Sequence, residues 1–247
     1  MVRAPAAQGA GRAGELGVLW SLLRGQRREG TLAERLEAFY APQARDYDRF
    51  RDRLLHGRAE MLALLAPRPG ERVAELGAGT GRNLEFLRDH LADLESVALV
   101  DLCPSLLALA RERAAAWPNV RVVEADAVRY RPPRPLDCVY FCYALTMIPA
   151  WREAIDNALA MLRHGGRIGV VDFHLPEPES MPGRFWRRWF AHDGVHLSSA
   201  HLPYLKAHTT PLRCKEDRGA VPYLPGLRAP YYMYVGLKRP PRSQART

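Results

Sequence analysis

The sequence predicts an α/β fold built around one mostly parallel sheet, and three observations support this prediction. The chain has 247 residues, of which 47% are hydrophobic, so it can form one sizeable core but hardly two independent domains. From residue 71 onward, short apolar runs alternate with helix-length amphipathic stretches, as strands and their crossover helices do. A glycine-rich turn follows the first apolar run, which is typical of a ligand-binding turn.

A helical cap is expected ahead of the sheet, over residues 31–68. Thr31 and Glu34 have the spacing of a capping box, which opens a helix that continues through Tyr40. A second helix is expected from about residue 45 to residue 65, where two prolines follow.

The alternating part of the chain predicts seven strands in residues 69–240, with an insertion at about 174–208 and a tail at 241–247. The predicted strands are residues 71–76, 96–101, 120–125, 136–145 and 165–173, with two more near 210–216 and 229–238. Helices are predicted at 81–91, 104–116 and 150–162.

Residues 1–30 are rich in Gly, Ala, Pro and Arg and predict a flexible or interfacial segment. Their short apolar patch, Leu16 to Leu23, fits a membrane interface and a helix packed on the fold equally well. Apolar runs stay shorter than the roughly 20 residues that a membrane span needs, and the N-terminus lacks the pattern of a secretory signal. A cytoplasmic location is therefore expected.

Both ends of the chain are basic. Residues 1–58 carry 11 Lys and Arg against 7 Asp and Glu, and residues 174–247 carry 12 against 5, whereas residues 59–173 carry 13 against 15. Basic flanks suit anionic partners, either nucleic acid or an anionic membrane surface. A base-composition bias toward arginine explains them equally well, because 33 of the 36 basic residues are Arg.

The four cysteines do not indicate a metal site. They contain no CxxC pair, and Cys138 and Cys142 fall inside a predicted strand, so buried, reduced thiols are expected. The histidines, among them His196 beside Asp193, also lack metal-ligand spacing, and a structural role is expected for each.

The glycine-rich turn and two acidic residues predict the principal binding site. The turn reads Glu75-Leu-Gly77-Ala78-Gly79-Thr80-Gly81. Asp101 ends the second predicted strand and Asp126 follows the third, so both are expected at the carboxyl edge of the sheet, where ligands bind. Asp101 can accept both hydroxyls of a ribose, and Asp126 with the Ala127 amide can bracket an adenine edge. Taken singly, either Asp also fits a helix cap or a turn.

This arrangement resembles the class I S-adenosylmethionine-dependent methyltransferases over about residues 70–173. The resemblance implies a Rossmann-like, seven-strand sheet whose last strand is antiparallel, with S-adenosylmethionine as cofactor. It also implies that Glu75 supports the glycine turn and the methionine amino group. The cofactor-binding residues it implies are Tyr47, Glu75, Gly77, Ala78, Gly79, Thr80, Gly81, Asp101, Leu102, Asp126 and Ala127.

The flanks resemble lipid headgroup N-methyltransferases, and most closely the diacylglyceryl-homoserine N-methyltransferase of betaine lipid synthesis. The matching stretches are residues 39–48, 54–58, 185–190, 202–205 and 222–232. The resemblance implies a membrane lipid with an amine headgroup as substrate, and places Tyr40 and Tyr47 over the cofactor and the amine. It also implies a protein peripherally associated with the inner face of the membrane.

Three residues are expected to act on the acceptor. Repeated methylation produces a quaternary ammonium, which aromatic faces bind, so Tyr40 and Tyr143 are the first candidates. Arg58 is expected to bind the homoserine carboxylate, although an arginine on a solvated helix explains it as well. Tyr231 and Tyr232 are further candidates, and core positions account for them equally. Methyl transfer depends mainly on alignment and does not require a strong general base, and we identify none.

Other functions remain open. Phosphatidylethanolamine or an ornithine lipid would suit the same kind of site. A nucleic-acid methyltransferase is disfavoured, because Tyr143–Met147 replaces the Asn/Asp-Pro-Pro-aromatic motif and an RNA-binding module is not recognised. A cofactor-binding protein without activity is the remaining alternative.

Overall fold

A computed structural model describes residues 29–43, 48, 51–175, 186–187, 195–222 and 226–240. Its centre is a seven-stranded sheet of order β3-β2-β1-β4-β5-β7-β6. The strands are β1 (Arg72–Leu76), β2 (Ser96–Asp101), β3 (Val120–Glu124), β4 (Leu136–Cys142), β5 (Leu162–Phe173), β6 (Thr209–Ala220) and β7 (Arg228–Lys238). Strand β7 is antiparallel to both of its neighbours and the other pairs are parallel, which confirms the predicted fold class.

Five α-helices that lie completely within the described residues surround this sheet. They are α1 (Leu32–Tyr40), α2 (Arg58–Leu65), α3 (Pro104–Ala114), α4 (Trp151–Met161) and α5 (His201–His208). Apolar residues of α2 and α3 belong to the core on one face of the sheet, and those of α4 and α5 to the core on the other. Because both faces are covered, β4 is buried along its whole length.

The strand order reverses between β1 and β4, which are neighbours although two strands separate them in the chain. The connections leaving β1 and β4 diverge to opposite sides, so a crevice opens at the carboxyl ends of these strands. The fold thereby places the turn after β1 beside the turn after β4.

The helix predicted at 81–91 is wrong: two 3₁₀-helices, Arg82–Phe86 and Arg88–Asp93, occupy this segment. The buried leucines do not record this difference. Leu84, Leu87, Leu91 and Leu94 are spaced by three, four and three residues, which is also the pattern of an α-helix that faces the core.

The continuous helix predicted from about 45 to 65 is also interrupted. Gly57 has a φ of 78°, and α2 begins only after it, while residues 51–54 form a separate helical turn. A Cβ on Gly57 would lie 2.8 Å from the ring of Tyr231, so the close approach of β7 requires glycine here. The capping box of Thr31 and Glu34 is confirmed.

Several predicted boundaries shift. The fourth strand ends at Cys142 instead of residue 145, because Tyr143 takes a left-handed φ of 55° and a 3₁₀-helix follows. Strand β6 is longer than predicted, because it pairs with β7 from Thr209 to Ala220. Residues 1–28 and 241–247, predicted as a flexible segment and a tail, lie outside the described residues. Within the described part, helices are too short or too polar to cross a bilayer.

Candidate functional site

A cavity lies in the crevice at the carboxyl edge of the sheet. It encloses about 610 Å³ when the open space at its mouth is included. The strand-end turns form its floor, and α1 forms the lid over it. Its lining consists of Leu32, Leu36, Tyr40, Arg51, Gly77, Gly79, Val100, Asp101, Leu102, Leu106, Ala125, Asp126, Ala127, Tyr143, Ala144, Met147 and Ile148.

The glycine turn after β1 has a backbone conformation that residues with larger side chains could not adopt. Gly77 has a φ of 75°, and a Cβ at this position would collide with the methyl group of Ala144 across the crevice. Gly79 has a φ of 55° and lines the cavity, so the ligand space begins at bare backbone. Ala78, Thr80 and Gly81 complete the turn behind this surface and are not among the described residues that line the cavity.

Asp101 connects the glycine turn to β2. Its Oδ2 accepts a hydrogen bond from the Gly79 amide at 2.7 Å, and its Oδ1 accepts one from the Cys103 amide at 2.9 Å. Burial raises the pKa of Asp101, although these amide donors oppose the rise. Each oxygen keeps a second lone pair, so the carboxylate can also accept hydroxyl groups from a ligand.

Asp126, Ala127 and Leu102 lie together on the neighbouring wall of the cavity. The Asp126 Oδ1 accepts a hydrogen bond from the Val128 amide at 2.9 Å, which makes Asp126 a turn residue as well as a lining residue. Asp126 therefore acts as a turn residue and also has the position expected of a ligand-binding residue. Asp101 and Asp126 meet at one edge of the sheet, as predicted.

Glu75 lies beneath the glycine turn and is completely buried. Its Oε1 accepts a hydrogen bond from Asn83 Nδ2 at 2.5 Å and its Oε2 accepts one from the Tyr140 hydroxyl at 3.1 Å. Burial raises the pKa of Glu75 to about 7. The side chain supports the turn from below, and it is not among the described residues that contact the cavity.

Tyr40 and Tyr143 both line the cavity. Tyr40 ends α1 and packs edge-to-face with Phe39, their ring centroids 4.9 Å apart. The Tyr143 hydroxyl donates to the His56 carbonyl at 2.7 Å, and its ring contacts Phe173 edge-to-face. Its left-handed backbone is unusual for a bulky residue and is typical of functional sites.

Burial also raises the pKa of Tyr143 well above its usual range. The hydroxyl therefore stays protonated at neutral pH and cannot accept a proton from a substrate as a general base. What Tyr143 offers to a ligand is the face or edge of its ring.

Helix α1 is held over the cavity by polar contacts to α3. Glu37 Oε2 accepts hydrogen bonds from the Ser105 amide and hydroxyl, both at 3.1 Å, and from the Cys103 thiol at 3.0 Å. A second contact joins Asp48 to the glycine turn, because the Thr80 hydroxyl donates to Asp48 Oδ1 at 2.6 Å. Arg113 of α3 pairs with the same carboxylate at 2.8 Å.

Arg58 is buried at the start of α2. Its side chain is only 6% exposed, and its guanidinium donates to Asp52 at 2.7 Å, to Asn83 at 3.3 Å and to the Leu55 carbonyl at 3.2 Å. The residue is not among the described residues that line the cavity. These contacts hold Arg58 at the start of α2, and its role toward the homoserine carboxylate stays a prediction.

The remaining candidates are distributed over the fold. Tyr231 packs against Gly57, and Tyr232 is fully buried in the core on the other face of the sheet. The His196 amide donates to the Thr146 carbonyl at 2.7 Å. Tyr47 and Asp193 lie outside the described residues. In the described part of the chain, no group of three His, Cys, Asp or Glu side chains is placed to hold a metal ion.

Sequence reasoning missed two polar residues of the site. Asn83 holds Glu75, and Arg51 lines the cavity. The spacing of Asn83 from the glycine turn was a usable signal, because a residue two positions after Gly81 must face back toward β1. No comparable signal pointed to Arg51, because it lies among other arginines in a segment whose helix breaks at Gly57.

Comparison with known proteins supports the fold. Residues 73–166 match the family model described as "Methyltransferase domain". The ubiquinone/menaquinone biosynthesis C-methyltransferase UbiE of Pseudomonas savastanoi is 28% identical over 162 residues, which are 62% of this chain and 63% of the relative. The chain thus spans less than two thirds of that relative's length.

Similar solved structures cover a larger share of the chain than this relative does. Phosphoethanolamine N-methyltransferase 2 of Haemonchus contortus has a TM-score of 0.67 at 13% identity, over 86% of this chain and 61% of that one. The 1,6-didemethyltoxoflavin-N1-methyltransferase of Burkholderia thailandensis has a TM-score of 0.58 at 21% identity, over 97% of this chain and 94% of that one. The chain has the class I methyltransferase fold, and residues 73–166 of that fold match a methyltransferase domain.

Proposed function

We propose that the protein is an S-adenosylmethionine-dependent methyltransferase. The observation that carries this proposal is the convergence of Gly79, Asp101 and Asp126 on one cavity at the reversal of strand order. The residues fit the cofactor: bare backbone at Gly79 admits close approach, and Asp101 has lone pairs for the ribose hydroxyls. Asp126 and the Ala127 amide form the wall for an adenine edge.

When bound, S-adenosylmethionine supplies a methyl group on a positively charged sulfur. The protein's contribution is to orient the cofactor and the acceptor and to exclude water. Leu32 and Leu36 of α1 cover the cavity from above, and Glu37 holds this helix against α3. Alignment under a closed cover supplies much of the catalysis in a displacement of this kind.

We infer that the acceptor atom is an amine nitrogen. Tyr40 and Tyr143 present aromatic rings to the same cavity, and such rings bind the ammonium that methylation produces. The Tyr143 hydroxyl is engaged by the His56 carbonyl, so a proton lost by the amine goes to water and not to Tyr143. Solved N-methyltransferases with the same fold, among them the phosphoethanolamine enzyme, agree with this inference.

The acceptor class that we propose is a lipid with an amine headgroup, with diacylglyceryl-homoserine first. Phosphatidylethanolamine and ornithine lipids are the alternatives within this class. The resemblance of the flanks supports this proposal, as do the basic ends of the chain, with 11 basic against 7 acidic residues in 1–58 and 12 against 5 in 174–247. A lipid acceptor stays in the bilayer, so the enzyme docks peripherally on an anionic surface.

Carbon methylation is the second candidate, and the 28% identical UbiE relatives favour it. The two reactions are distinguished by the position of the new methyl group. The purified protein, given S-adenosylmethionine with a deuterated methyl group and a total lipid extract, should transfer the label to aminolipids. Fragment masses should place it on the headgroup nitrogen.

Label on a quinone ring would replace the N-methyl proposal by C-methylation. Label on added RNA would contradict the lipid proposal altogether. Isolated diacylglyceryl-homoserine, phosphatidylethanolamine and ornithine lipid, offered in competition, then rank the acceptors within the aminolipid class.

A further inference from the structure

We propose that Asp172, at the end of β5, is a positioning residue for the methyl acceptor, because it fixes the turn after β4 through Thr146. This role rests on the proposed function and deepens it, since it concerns how the acceptor end of the same cavity is shaped. Asp172 itself is not among the described residues that line the cavity.

The strand order places the turn after β4 at the acceptor end of the cavity. Asp101 and Asp126, which we assign to the ribose and the adenine, follow β2 and β3, and both of these strands lie on one side of β1. Strand β4 lies on the other side of β1. Its turn therefore borders the side of the cavity away from the adenine wall, where an acceptor can approach the methyl group.

The turn after β4 is divided between the cavity and the core. Four of its residues line the cavity, namely Tyr143, Ala144, Met147 and Ile148. Leu145 and Thr146, which lie between them, are only 1% and 2% exposed. Whatever holds these two buried residues also determines where the four lining side chains stand.

Thr146 is held by all of its polar groups. Its amide donates to Asp172 Oδ2 at 3.1 Å, and its hydroxyl donates to Asp172 Oδ1 at 2.7 Å. Its carbonyl accepts a hydrogen bond from the His196 amide at 2.7 Å. The Asp172 carboxylate thus ties the turn after β4 directly to the end of β5.

The chemistry of Asp172 explains why a carboxylate occupies this place. The side chain is fully buried, and Oδ1 also accepts the Phe173 amide at 2.8 Å. Burying a carboxylate is costly unless several donors satisfy it. An asparagine has one acceptor oxygen and could not receive the Thr146 amide on one side and the Thr146 hydroxyl on the other.

The backbone of Tyr143 gives this anchor its importance. Its left-handed φ of 55° is costly for a bulky residue and persists only where the surroundings hold it. The Tyr143 amide donates to the Val171 carbonyl at 2.8 Å. Two consecutive residues of β5, Val171 and Asp172, therefore hold the turn at Tyr143 and at Thr146. The orientation of the Tyr143 ring toward an acceptor depends on both.

The test separates acceptor turnover from cofactor binding. Initial rates are measured with diacylglyceryl-homoserine, phosphatidylethanolamine and ornithine lipid in detergent micelles, and cofactor affinity by calorimetry with S-adenosylhomocysteine. Asp172→Asn should lower kcat/KM for the preferred lipid about 10- to 100-fold, and Thr146→Val about 5- to 10-fold, because each loses part of the anchor. The affinity for S-adenosylhomocysteine should stay unchanged, since its proposed contacts lie on the turns after β1, β2 and β3.

Three further variants distinguish positioning from a general loss of stability. Thr146→Ser keeps the hydroxyl and should restore most of the wild-type rate. Asp137→Asn is the matched control, because Asp137 is a buried acid at the opposite edge of the sheet, where it accepts the Arg72 amide at 2.8 Å. It should leave kcat/KM unchanged. The double variant Asp172→Asn, Thr146→Val should lose little more than Asp172→Asn alone, because both changes break one anchor.

The contrary outcomes are distinct. Wild-type kcat/KM in Thr146→Val, or fully additive losses in the double variant, would mean that Asp172 does not act through Thr146. Equal losses of kcat/KM and of S-adenosylhomocysteine affinity would mean that Asp172 supports the whole cavity. Each of these results would overturn the positioning role alone. If the wild type bound S-adenosylhomocysteine but methylated none of the three lipids, the proposed acceptor class would fail, and the positioning role with it.

Discussion

Asp101 has two roles at the residue scale. It accepts the Gly79 amide, which shapes the glycine turn, and it faces the cavity with lone pairs to spare. Replacing it therefore removes a ligand contact and releases the turn in one step. Its register neighbour on β3, Glu124, is exposed and is not among the described lining residues, so it provides a carboxylate at the same sheet edge without either role.

Asp101→Ala should abolish cofactor binding, with an affinity loss of about 100-fold or more, because a charged acceptor is lost and a buried amide is left unpaired. Tyr40→Ala should instead reduce turnover and leave cofactor affinity nearly unchanged. Calorimetric titration with S-adenosylhomocysteine and initial-rate assays measure the two effects, with Glu124→Ala as control. Unchanged affinity in the Asp101 variant would show that the cofactor binds elsewhere.

Glu75 gives a pH-dependent prediction. Its folded pKa, about 7, lies above its unfolded value near 4.5 because burial disfavours the carboxylate. The folded state therefore binds the proton more tightly, and ionisation destabilises the fold as the pH rises from about 4.5 to 7. Glu75→Gln removes this effect, so the variant should gain stability relative to wild type over that interval by roughly 1–3 kcal/mol.

Urea denaturation at pH 4.5, 5.5 and 7 measures this difference. Exposed Glu124→Gln serves as the control for a surface carboxylate. A stability difference between wild type and Glu75→Gln that stayed constant over these three pH values would contradict the assignment.

The residues of the site that sequence reasoning identified share one property: local sequence determines their position. A glycine turn after a strand and an acid at a strand end need no knowledge of distant contacts. Arg58 and Arg51 could not be distinguished in this way. Which arginine turns inward depends on Asp52 and Asn83, and therefore on where Gly57 breaks the helix.

At the scale of elements, the lid formed by α1 is attached to the amino end of α3. The Glu37 carboxylate receives the Ser105 amide, which would otherwise be an unpaired donor at that helix end. Burial opposes ionisation, but the bonds from Cys103 and Ser105 lower the pKa of Glu37 overall. The contact thus holds the lid with a charged group.

Glu37→Gln should make the lid open more often. Losing a charged cap costs about 1–2 kcal/mol, which corresponds to an opening equilibrium about 5- to 30-fold larger. Cys103 is fully buried beneath the lid, so its alkylation rate reports opening. The measurement uses a Cys214→Ser background, because Cys214 is the exposed cysteine.

Ser105→Ala, which keeps the amide bond to Glu37 and loses only the hydroxyl bond, should give a smaller increase. S-adenosylhomocysteine should slow the reaction in every variant. Equal alkylation rates in wild type and Glu37→Gln would mean that this carboxylate does not hold the lid.

The sheet was the most predictable element and the segments around it the least. Strands that are buried on both faces read as continuous apolar runs, so their order along the chain was evident. The 3₁₀-helices at 82–93 and the break at Gly57 follow from contacts with β7 and the core, which no local pattern records. The end of β4 likewise depends on the strained backbone of Tyr143.

At the scale of the whole molecule, net charge is distributed unevenly along the chain. The central part of the fold, residues 59–173, has 13 basic and 15 acidic residues, whereas the regions before and after it, which include α1, α5, β6 and β7, are basic. Each Lys or Arg near an anionic surface contributes about 1 kcal/mol to membrane binding. Docking by the flanks would leave the crevice free to receive a headgroup.

The full chain should therefore pellet with vesicles that contain phosphatidylglycerol, and not with pure phosphatidylcholine vesicles. Raising the salt concentration to about 0.5 M should release it, because screening shortens the range of the attraction. Binding that does not depend on lipid charge would contradict peripheral electrostatic docking. Pelleting without lipid is the control for aggregation.

The meeting of Gly77 with Ala144 has a consequence for related sequences. At the floor of the crevice the two turns approach each other as closely as two of the smallest residues allow, one from each turn at the reversal of strand order. A homologue with a bulky side chain at either position must displace one turn to stay folded. Homologues that bind the ligand are therefore expected to have small residues at both positions. A large residue at either position is expected in homologues that keep the fold and lose ligand binding.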